Sequence, residues 1–373
     1  MFVKRLFITT LVLSLLLLSM GCSREKKTDF ELGKSYFLAS NYPESSIRLE
    51  KWVSKKKNPN LEEAYAMLAV IYHDMPNRQA EYEKTMQTLK ELGEKGMSAV
   101  VKLMENPTTA SRLQNTIGDI LIKSGSISIA PLMEHFNGAN WRLKVYAQQI
   151  LMQMGETAIP ALTNALNSPD RFTKSMAIEA LSKIGSQDII PIIEQKLNDP
   201  DKLVQVTTAV ALHAMGKQNP TEIILNSLND PDVDVRRTAT RAMSQGFDNI
   251  PVNRLLPLLK DADADVRNNA TIALGKSKSS ESVQALVKEM EIDENEQVRN
   301  SAGKALEAIG EPAVDPMISL LKRTDDMELI IRIAQILGNI GDKRAVEPLE
   351  NIYKKEKREL IKNEIAKALN KID

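Results

Sequence analysis

Three histidines and one cysteine are the residues of this sequence best suited to metal or nucleophilic chemistry. His73, His135 and His213 lie far apart in the sequence, and Cys22 is the only cysteine. A zinc site needs three or four closely placed ligands, so these residues would require carboxylates from several repeats. We therefore predict no metal and no cofactor. A single cysteine also excludes an intramolecular disulfide.

Motifs for nucleotide binding and for hydrolysis are missing from the sequence. Nothing matches the phosphate-holding loops G-x-x-x-x-G-K-[ST] or G-x-G-x-x-G, and the G-x-S-x-G turn of many hydrolases is missing as well. The 49 basic residues are balanced by 49 acidic ones, so the chain has no general electrostatic attraction to nucleic acid. We predict a protein that is not an enzyme and does not bind nucleic acid.

Arginines recur at one position of a repeated pattern and could bind carboxylates. Arg236, Arg267 and Arg299 each follow a valine at the same helical position. As a ladder they could hold acidic groups of a partner. We favour the structural alternative, in which each arginine pairs with a turn aspartate and ties one repeat to the next. Examples of such turn aspartates are Asp232, Asp263 and Asp293.

These arginines belong to a pattern that repeats about every 30–32 residues, a solenoid period. Each copy starts an apolar helical stripe, and most copies have Asp or Asn three residues earlier, where it caps a helix. Most copies end in glycine, which stops helices in the left-handed conformation. The stripe starts are Leu113, Leu143, Thr173, Val204, Val235, Val266, Val298, Leu329 and Ile361, and the caps are Asn140, Asp170, Asp201, Asp232, Asp263, Asn295 and Asp326.

Each copy has a second helix ahead of the stripe, and proline recurs within it. A single stripe helix cannot bury its apolar side alone, whereas stacked copies can. The unit resembles HEAT repeats, in particular the short HEAT-like repeats of phycobilisome bilin lyases. The matching residues are Asp230-Pro231-Asp232 with Val235-Arg236 and Ala239, Asp263 with Val266-Arg267 and Ala270, and Val298-Arg299 with Ala302, Ala305-Leu306 and Ile309-Gly310. We predict an all-α, α-α superhelix with about nine repeats over residues 96–373.

The resemblance implies a concave face lined by the stripe helices. At about 100° per residue, positions two and six after each stripe start point away from the core. We expect Arg237, Arg241, Asn268, Asn300 and Lys304 to bind an unknown protein or peptide there. The full set is Asn115, Gln149, Ser175, Glu179, Arg237, Arg241, Asn268, Asn300, Lys304, Gln335, Asn363 and Lys367, with Val145, Val206 and Ile331 as apolar anchors if exposed.

Residues 1–22 have the pattern of a bacterial leader. Lys4 and Arg5 precede an apolar run that is too short to span a bilayer comfortably. The sequence Leu18-Ser19-Met20-Gly21-Cys22 resembles a lipoprotein lipobox, although its leucine lies four residues before the cysteine instead of three. The resemblance implies that Cys22 is lipidated. The alternative is an ordinary signal peptide or anchor with an incidental cysteine.

Lipidation of Cys22 would tether the mature chain to a membrane through its acyl chains. Removal of residues 1–21 leaves 47 basic and 49 acidic residues, a net charge of −2. Residues 23–28 form a short charged tether. Ser23, where enterobacterial lipoproteins retained in the inner membrane have aspartate, favours the outer membrane or periplasmic face of a bacterial envelope. We expect a monomer.

Residues 29–95 follow a different helical pattern. Leu32-Gly33, Tyr36 and Ser40 lie where tetratricopeptide repeats place small and aromatic residues, and Leu68-Ala69 with Tyr72 repeats the opening 36 residues later. The segment resembles tetratricopeptide repeats, and the alternative is a helical cap for the array. Both interpretations predict two helical hairpins.

Three functions fit these patterns. The favoured one is a lipid-anchored, extracytoplasmic HEAT-repeat scaffold for protein interaction or assembly. An enzyme resembling a bilin lyase, or a metal-dependent hydroxylase like the HEAT-type deoxyhypusine hydroxylase, is the alternative; that hydroxylase holds iron with paired His-Glu motifs, and here only the reversed Glu134-His135 occurs. The third is a structural envelope protein without a dedicated partner.

Overall fold

The computed structural model describes residues 27–55, 58–217, 221–247 and 250–372. Within these ranges the regular elements are helices and there is no β-strand, so the predicted all-α class is confirmed. The expected leader and Cys22 lie outside the described residues. The chain divides into two compact units, Met1–Thr157 and Ala158–Asp373.

The first unit begins with two helical hairpins. α1 packs on α2, and α3 packs on α4, which confirms the two hairpins expected between residues 29 and 95. The unit contains α1 (Asp29–Leu38), α2 (Tyr42–Val53), α3 (Leu61–His73), α4 (Gln79–Glu91), α5 (Glu94–Lys102), α6 (Pro107–Ser124), α7 (Ile129–Asn137) and α8 (Trp141–Gln153).

The second unit alternates short first helices with longer second helices that carry the apolar stripe. Neighbouring second helices pack directly on one another, as α14 does on α16 and α16 on α18. The unit contains α9 (Ile159–Ala165), α10 (Arg171–Ile184), α11 (Ile190–Glu194), α12 (Lys202–Ala214), α13 (Thr221–Ser227), α14 (Val233–Gly246), α15 (Val252–Leu255), α16 (Ala264–Ser277), α17 (Val283–Ile292), α18 (Glu296–Ile309), α19 (Val314–Arg323), α20 (Met327–Ile340), α21 (Val346–Lys355) and α22 (Glu359–Ile372).

The N-terminal ends of the second helices are set by the residues that the sequence predicts, and a left-handed glycine ends two of these helices. Each expected Asp or Asn is the N-cap of its helix; Asp326, for example, accepts a hydrogen bond from the Leu329 backbone N–H at 2.7 Å. At the other end, Gly185 and Gly341 adopt left-handed conformations with φ of 78° and 75°. All nine predicted stripe starts are buried, from Leu113 to Ile361.

The recurring prolines lie in the first turn of the first helices. Pro160 and Pro191 are the second residues of α9 and α11, and Pro131 is the third residue of α7. Each of these helices follows a short 3₁₀ turn. Proline is tolerated there because the first N–H groups of a helix have no partner within it. These positions start the first helices and do not interrupt them.

Small residues let the second helices approach closely. A Cβ added at Gly275 of α16 would lie 2.6 Å from Ala305 Cβ and 2.7 Å from Ala305 Cα on α18. Gly338 of α20 meets Ala368 of α22 in the same way, with the Ala368 Cα 2.8 Å from the added Cβ. Backbone atoms cannot move aside as a side-chain end can, so these contacts fix the separation of neighbouring helices. None of the described helices is long and apolar enough to cross a membrane.

Gly275→Ala should destabilise the second unit by about 1–3 kcal/mol, because its methyl group would overlap the α18 backbone. The matched control is Gly303→Ala on α18, whose added Cβ meets the Ile336 Cδ1 at 3.1 Å, a movable side-chain end. That control should be neutral or stabilising by up to about 1 kcal/mol, since alanine favours helix more than glycine. Urea unfolding of both variants measures the difference, and equal losses would contradict the close approach.

Candidate functional site

The turns between first and second helices carry aspartates that their own backbone holds in place. Asp261 accepts a hydrogen bond from the Asp263 N–H at 2.9 Å, and Asp293 accepts one from the Asn295 N–H at 2.7 Å. Asp230 makes the same bond with the Asp232 N–H at 3.0 Å. This side-chain turn presents the remaining carboxylate edge to the neighbouring repeat.

Two arginines bind those carboxylate edges and join consecutive turns. Arg236 donates from Nε and Nη2 to Asp261 at 2.7 and 2.9 Å, while its Nη1 donates to the Asp230 carbonyl of its own turn at 2.8 Å. Arg267 repeats this arrangement with Asp293, at 2.7 and 3.0 Å. We call the pairs Arg236–Asp261 and Arg267–Asp293 the turn ladder.

Arg267 pairs with Asp293 as expected, but the pairings expected for Arg236 and Arg299 are wrong. Arg236 binds Asp261, which lies two residues before the helix cap of the following repeat, and not Asp232 or Asp263. Asp232 instead accepts from Arg171 at 2.6 Å, and Asp263 accepts from Arg237 at 2.5 Å. Each of these two cap aspartates thus accepts hydrogen bonds from the N-terminus of its own helix and from an arginine of another repeat.

The paired arginine side chains keep these aspartate carboxylates ionised. The Arg237 hydrogen bond holds the pKa of Asp263 below its usual value, and the Arg171 hydrogen bond does the same for Asp232. Burial alone would raise the pKa of Asp261, but the Arg236 hydrogen bond and the Asp263 N–H outweigh it and lower that pKa. The charge-assisted bonds are therefore formed at neutral pH.

Arg299 has the same position in its repeat but a different set of contacts. Its Nη1 donates to the Asp293 and Glu294 carbonyls at 2.8 and 3.2 Å, as the other ladder arginines do within their own turns. Among the residues that the structure describes, it makes no ion pair. At the position where an acceptor aspartate would lie, the next turn has Thr324.

Three of the five expected binding residues are engaged or buried. Arg237 contacts Asp263, and Arg241 pairs with Glu179 at 2.5 Å. Asn268 is only 9% exposed, and it accepts a hydrogen bond from Ser301 at 2.7 Å. These side chains stabilise contacts between second helices, so they are less available to a partner than the sequence suggests. Val206 is fully buried and is not an exposed apolar anchor.

The other two expected residues, Asn300 and Lys304, share an exposed surface on α18. They line a cavity of about 720 Å³ between α16 and α18, together with Lys276 and Gln297. They also line a second cavity of about 510 Å³ between α18 and α20, together with Gln335 and Ile331. We call this surface of α16, α18 and α20 the second-helix surface.

The second-helix surface combines opposite charges with amide groups. Lys304 makes no hydrogen bond or ion pair with any residue in the described part of the chain, and Asn300 makes no side-chain hydrogen bond there. Nearby, Glu307 accepts from Asn339 at 3.0 Å, and Gln335 donates to Glu364 at 2.9 Å. An exposed lysine between two cavities, next to an amide that can donate and accept, suits recognition of a polar protein surface.

The histidines lie in separate environments. His73 contacts Asp74 through Nδ1 at 2.6 Å and lies 3.6 Å from Asp119 through Nε2. His213 stacks on Phe247, with ring centroids 4.1 Å apart. No group of three or more His, Cys, Asp or Glu side chains among the described residues could hold a metal ion. These separate environments favour packing roles for His73 and His213 over a common catalytic or metal site.

Of the aspartates that bind the ladder arginines, Asp293 was predicted from the sequence and Asp261 was not. These lie five residues before each stripe start, two before the helix cap, and form their own column in the sequence. Alignment of these aspartates with the arginines at the equivalent positions of the repeats would have revealed the ladder and the repeat in which the aspartate is missing. The column is Asp199, Asp230, Asp261, Asp293 and then Thr324.

Comparison with known families identifies the repeats. The family model described as HEAT repeats matches residues 129–213, 221–306, 252–330 and 283–370. In a comparison of sequences, no curated protein matches the chain.

Solved structures share the helical fold at low sequence identity. The X-ray structure of Escherichia coli YibA is 22% identical, with a TM-score of 0.51, and the match covers 69% of this chain and 96% of that one. An engineered protein matches at 19% identity and a TM-score of 0.43, over 87% and 98% of the two chains. Human deoxyhypusine hydroxylase in complex with glycerol matches at 19% identity and a TM-score of 0.30, over 69% and 99%. The YibA likeness shows the fold alone, and the other two are too distant to carry an argument.

A buried acidic pair next to the turn ladder makes stability depend on pH. Glu289 is 9% exposed. Burial, and then its hydrogen bond and charge interaction with Asp293, raise the pKa of Glu289 to about 7. A carboxyl group whose pKa rises on folding stabilises the folded state below its unfolded pKa. That contribution is lost as the pH rises through the folded pKa.

We predict that the wild-type protein loses about 1–3 kcal/mol of unfolding free energy between pH 5 and 8 that Glu289→Gln does not lose. The glutamine cannot ionise, so no buried charge forms beside Asp293. Urea unfolding across this pH range measures the effect. The matched control, Glu281→Gln, replaces an exposed glutamate ahead of the same helix and should follow the wild-type profile. Parallel profiles for all three proteins would contradict the assignment.

Proposed function

Because HEAT repeats span residues 129–213 and 221–370, the chain belongs to the HEAT-repeat family, and we propose that it is a lipid-anchored scaffold that binds a protein partner outside the cytoplasm. HEAT repeats bury their apolar stripes against one another and leave a row of polar helix faces for recognition. The proposal therefore assigns the partner to the second-helix surface.

The observation that carries this proposal is the pair of cavities that share Asn300 and Lys304. Lys304 is an exposed cation without an ion pair in the described part of the chain, whereas Arg237 and Arg241 already hold carboxylates. A partner that supplies an acceptor to Lys304 gains a contact without breaking one. A partner at Arg241 would have to displace Glu179.

The anchoring part of the proposal rests on the sequence. A cysteine that follows a short apolar leader is the acceptor of acyl chains in bacterial lipoproteins, which Cys22 resembles. Two or three acyl chains hold a protein firmly, since each buried methylene contributes about 0.8 kcal/mol. We place the protein at the bacterial cell envelope, at the outer membrane or the periplasmic face.

We propose binding and not catalysis. The described histidines do not converge, and the exposed amides and lysine of the second-helix surface offer hydrogen bonds without a nucleophile and its base. Elemental analysis and absorbance spectra of the purified protein test this part, because a hydroxylase or a bilin lyase would carry a stoichiometric metal or a chromophore.

Affinity capture of the tagged full-length chain from detergent-solubilised envelopes tests the function. Wild-type protein should recover a defined protein partner, and Lys304→Glu should reduce that recovery about tenfold, the loss expected for a central interface residue. The matched control is Lys322→Glu, which reverses an exposed lysine on the first helix α19 that lines neither cavity. It should bind like the wild type.

Two outcomes would contradict the proposal. Recovery that Lys304→Glu and Lys322→Glu leave equally intact would remove the second-helix surface as the binding site. In the same preparations, Cys22→Ser should move the protein to the soluble fraction and remove the acyl mass that mass spectrometry detects. A Cys22→Ser protein that stays in the membrane fraction, with no acyl mass on the wild type, would remove the lipid anchor.

A further inference from the structure

The turn ladder is incomplete at the turn before α20. Thr324 accepts a hydrogen bond from the Asp326 N–H through Oγ1 at 3.2 Å. Asp261 and Asp293 make the equivalent bond in their own turns, at 2.9 and 2.7 Å. Thr324 therefore preserves the shape of the turn. It lacks the second oxygen and the charge that a ladder arginine binds.

The arginine that faces this turn is already held in the ladder pose. Nη1 of Arg299 donates to the carbonyls of Asp293 and Glu294, as Nη1 of Arg267 donates to Asp261 and Ala262. In Arg267 the Nε and Nη2 donors bind Asp293 side by side. In Arg299 these two donors have no acceptor among the described residues, so a pre-positioned fork remains available.

A cavity of about 500 Å³ adjoins this fork. Its lining includes Arg299, Thr324 and Arg332, together with the apolar side chains of Ile292 and Leu329. Nη1 of Arg332 is buried and has no hydrogen-bond partner among the residues that the structure describes. An unsatisfied buried donor is costly, and here it lies on a second arginine of the same cavity. Ile292 is 60% exposed at the edge, where it could contact an apolar residue of a ligand.

The carboxylates that line the same cavity already have partners. Glu291 pairs with Arg323 at 2.7 Å, and Asp293 pairs with Arg267. Asp326 caps α20, and Glu328 contacts Arg332 at 3.1 Å. Arg299 is thus the charged residue of this lining that neither makes an ion pair nor caps a helix in the described part of the chain.

We propose that this cavity binds a carboxylate side chain from an acidic segment of a protein partner, which takes the place of the missing ladder aspartate at Arg299. The site rests on the binding function proposed above but lies at the turns, apart from Asn300 and Lys304. The Nε–Nη2 edge matches the two oxygens of a planar carboxylate, as Asp261 and Asp293 demonstrate. A phosphate dianion would meet stronger repulsion from Asp326 and Glu328.

Binding of a defined peptide tests the site. The probe is a fluorescein-labelled peptide Gly-Glu-Leu-Glu-Gly with blocked ends, and its control is the same peptide with both glutamates replaced by glutamine. Fluorescence anisotropy with the detergent-solubilised full-length protein should show binding of the acidic peptide. The glutamine peptide, and Arg299→Gln protein with the acidic peptide, should each bind at least about tenfold more weakly. Inorganic phosphate should compete less well than acetate.

Thr324→Asp tests the same site from inside the chain. The new carboxylate should bind Arg299, complete the turn ladder and raise the melting temperature by about 2–4 °C, while it blocks the acidic peptide. Thr324→Asn is the matched control, since it keeps the turn hydrogen bond without the charge and should give no comparable rise. In the Arg299→Gln background, Thr324→Asp should no longer stabilise.

The outcomes separate this inference from the proposed function. Equal affinity for both peptides, or acidic-peptide binding that survives both Arg299→Gln and Thr324→Asp, would overturn the carboxylate site. A Thr324→Asp protein no more stable than Thr324→Asn would overturn the unfilled position in the ladder. Failure of Lys304→Glu to affect partner capture would reject the second-helix surface and leave these peptide results unchanged.

Discussion

The arrangement of the second unit depends on an arginine that holds two turns at once. Arg267 is almost fully buried, with its side chain 8% exposed, and Asp293 is 3% exposed. Removing such charges from water is costly unless every donor finds an acceptor. Arg267 meets that condition, because Nε and Nη2 bind Asp293 while Nη1 binds the Asp261 and Ala262 carbonyls. A buried pair of this kind fixes the position of one repeat relative to the next.

The second helices are held in place along their length as well as at the turns. The ladder holds the N-terminal ends of α14, α16 and α18 against one another, and the contact of Gly275 with Ala305 sets the separation of α16 and α18 nearer their C-terminal ends. Two constraints at opposite ends leave the helices little freedom to slide. Asn300 and Lys304 therefore lie on a rigid surface, and a partner that binds there need not order it first.

Much of the fold could be predicted from the sequence because its causes are local. An Asp or Asn that caps its own helix, a glycine that ends one, and an apolar residue every helical turn depend on spacing alone. Asp326 and Gly341 illustrate this at the two ends of α20. The burial of all nine stripe starts follows from the same periodicity.

The candidate site was less predictable, because long side chains choose partners across repeats. Helical phase places Arg237 and Arg241 on an exposed face, but phase does not reveal that Asp263 and Glu179 lie within reach. Asn268 lies at the same position in its repeat as Asn300, yet it is buried against Ser301. The offset between neighbouring helices decides these contacts, and a single sequence does not contain that offset.

A double-mutant cycle on Arg236 and Asp261 tests most directly whether the turn ladder couples one repeat to the next. Arg236→Gln removes the cation, and Asp261→Asn keeps the acceptor for the Asp263 N–H while it removes the charge. We predict a coupling free energy of about 1.5 kcal/mol or more from urea unfolding of the four proteins at pH 7. Strictly additive losses would show that the two residues stabilise their own turns independently, and would contradict the account.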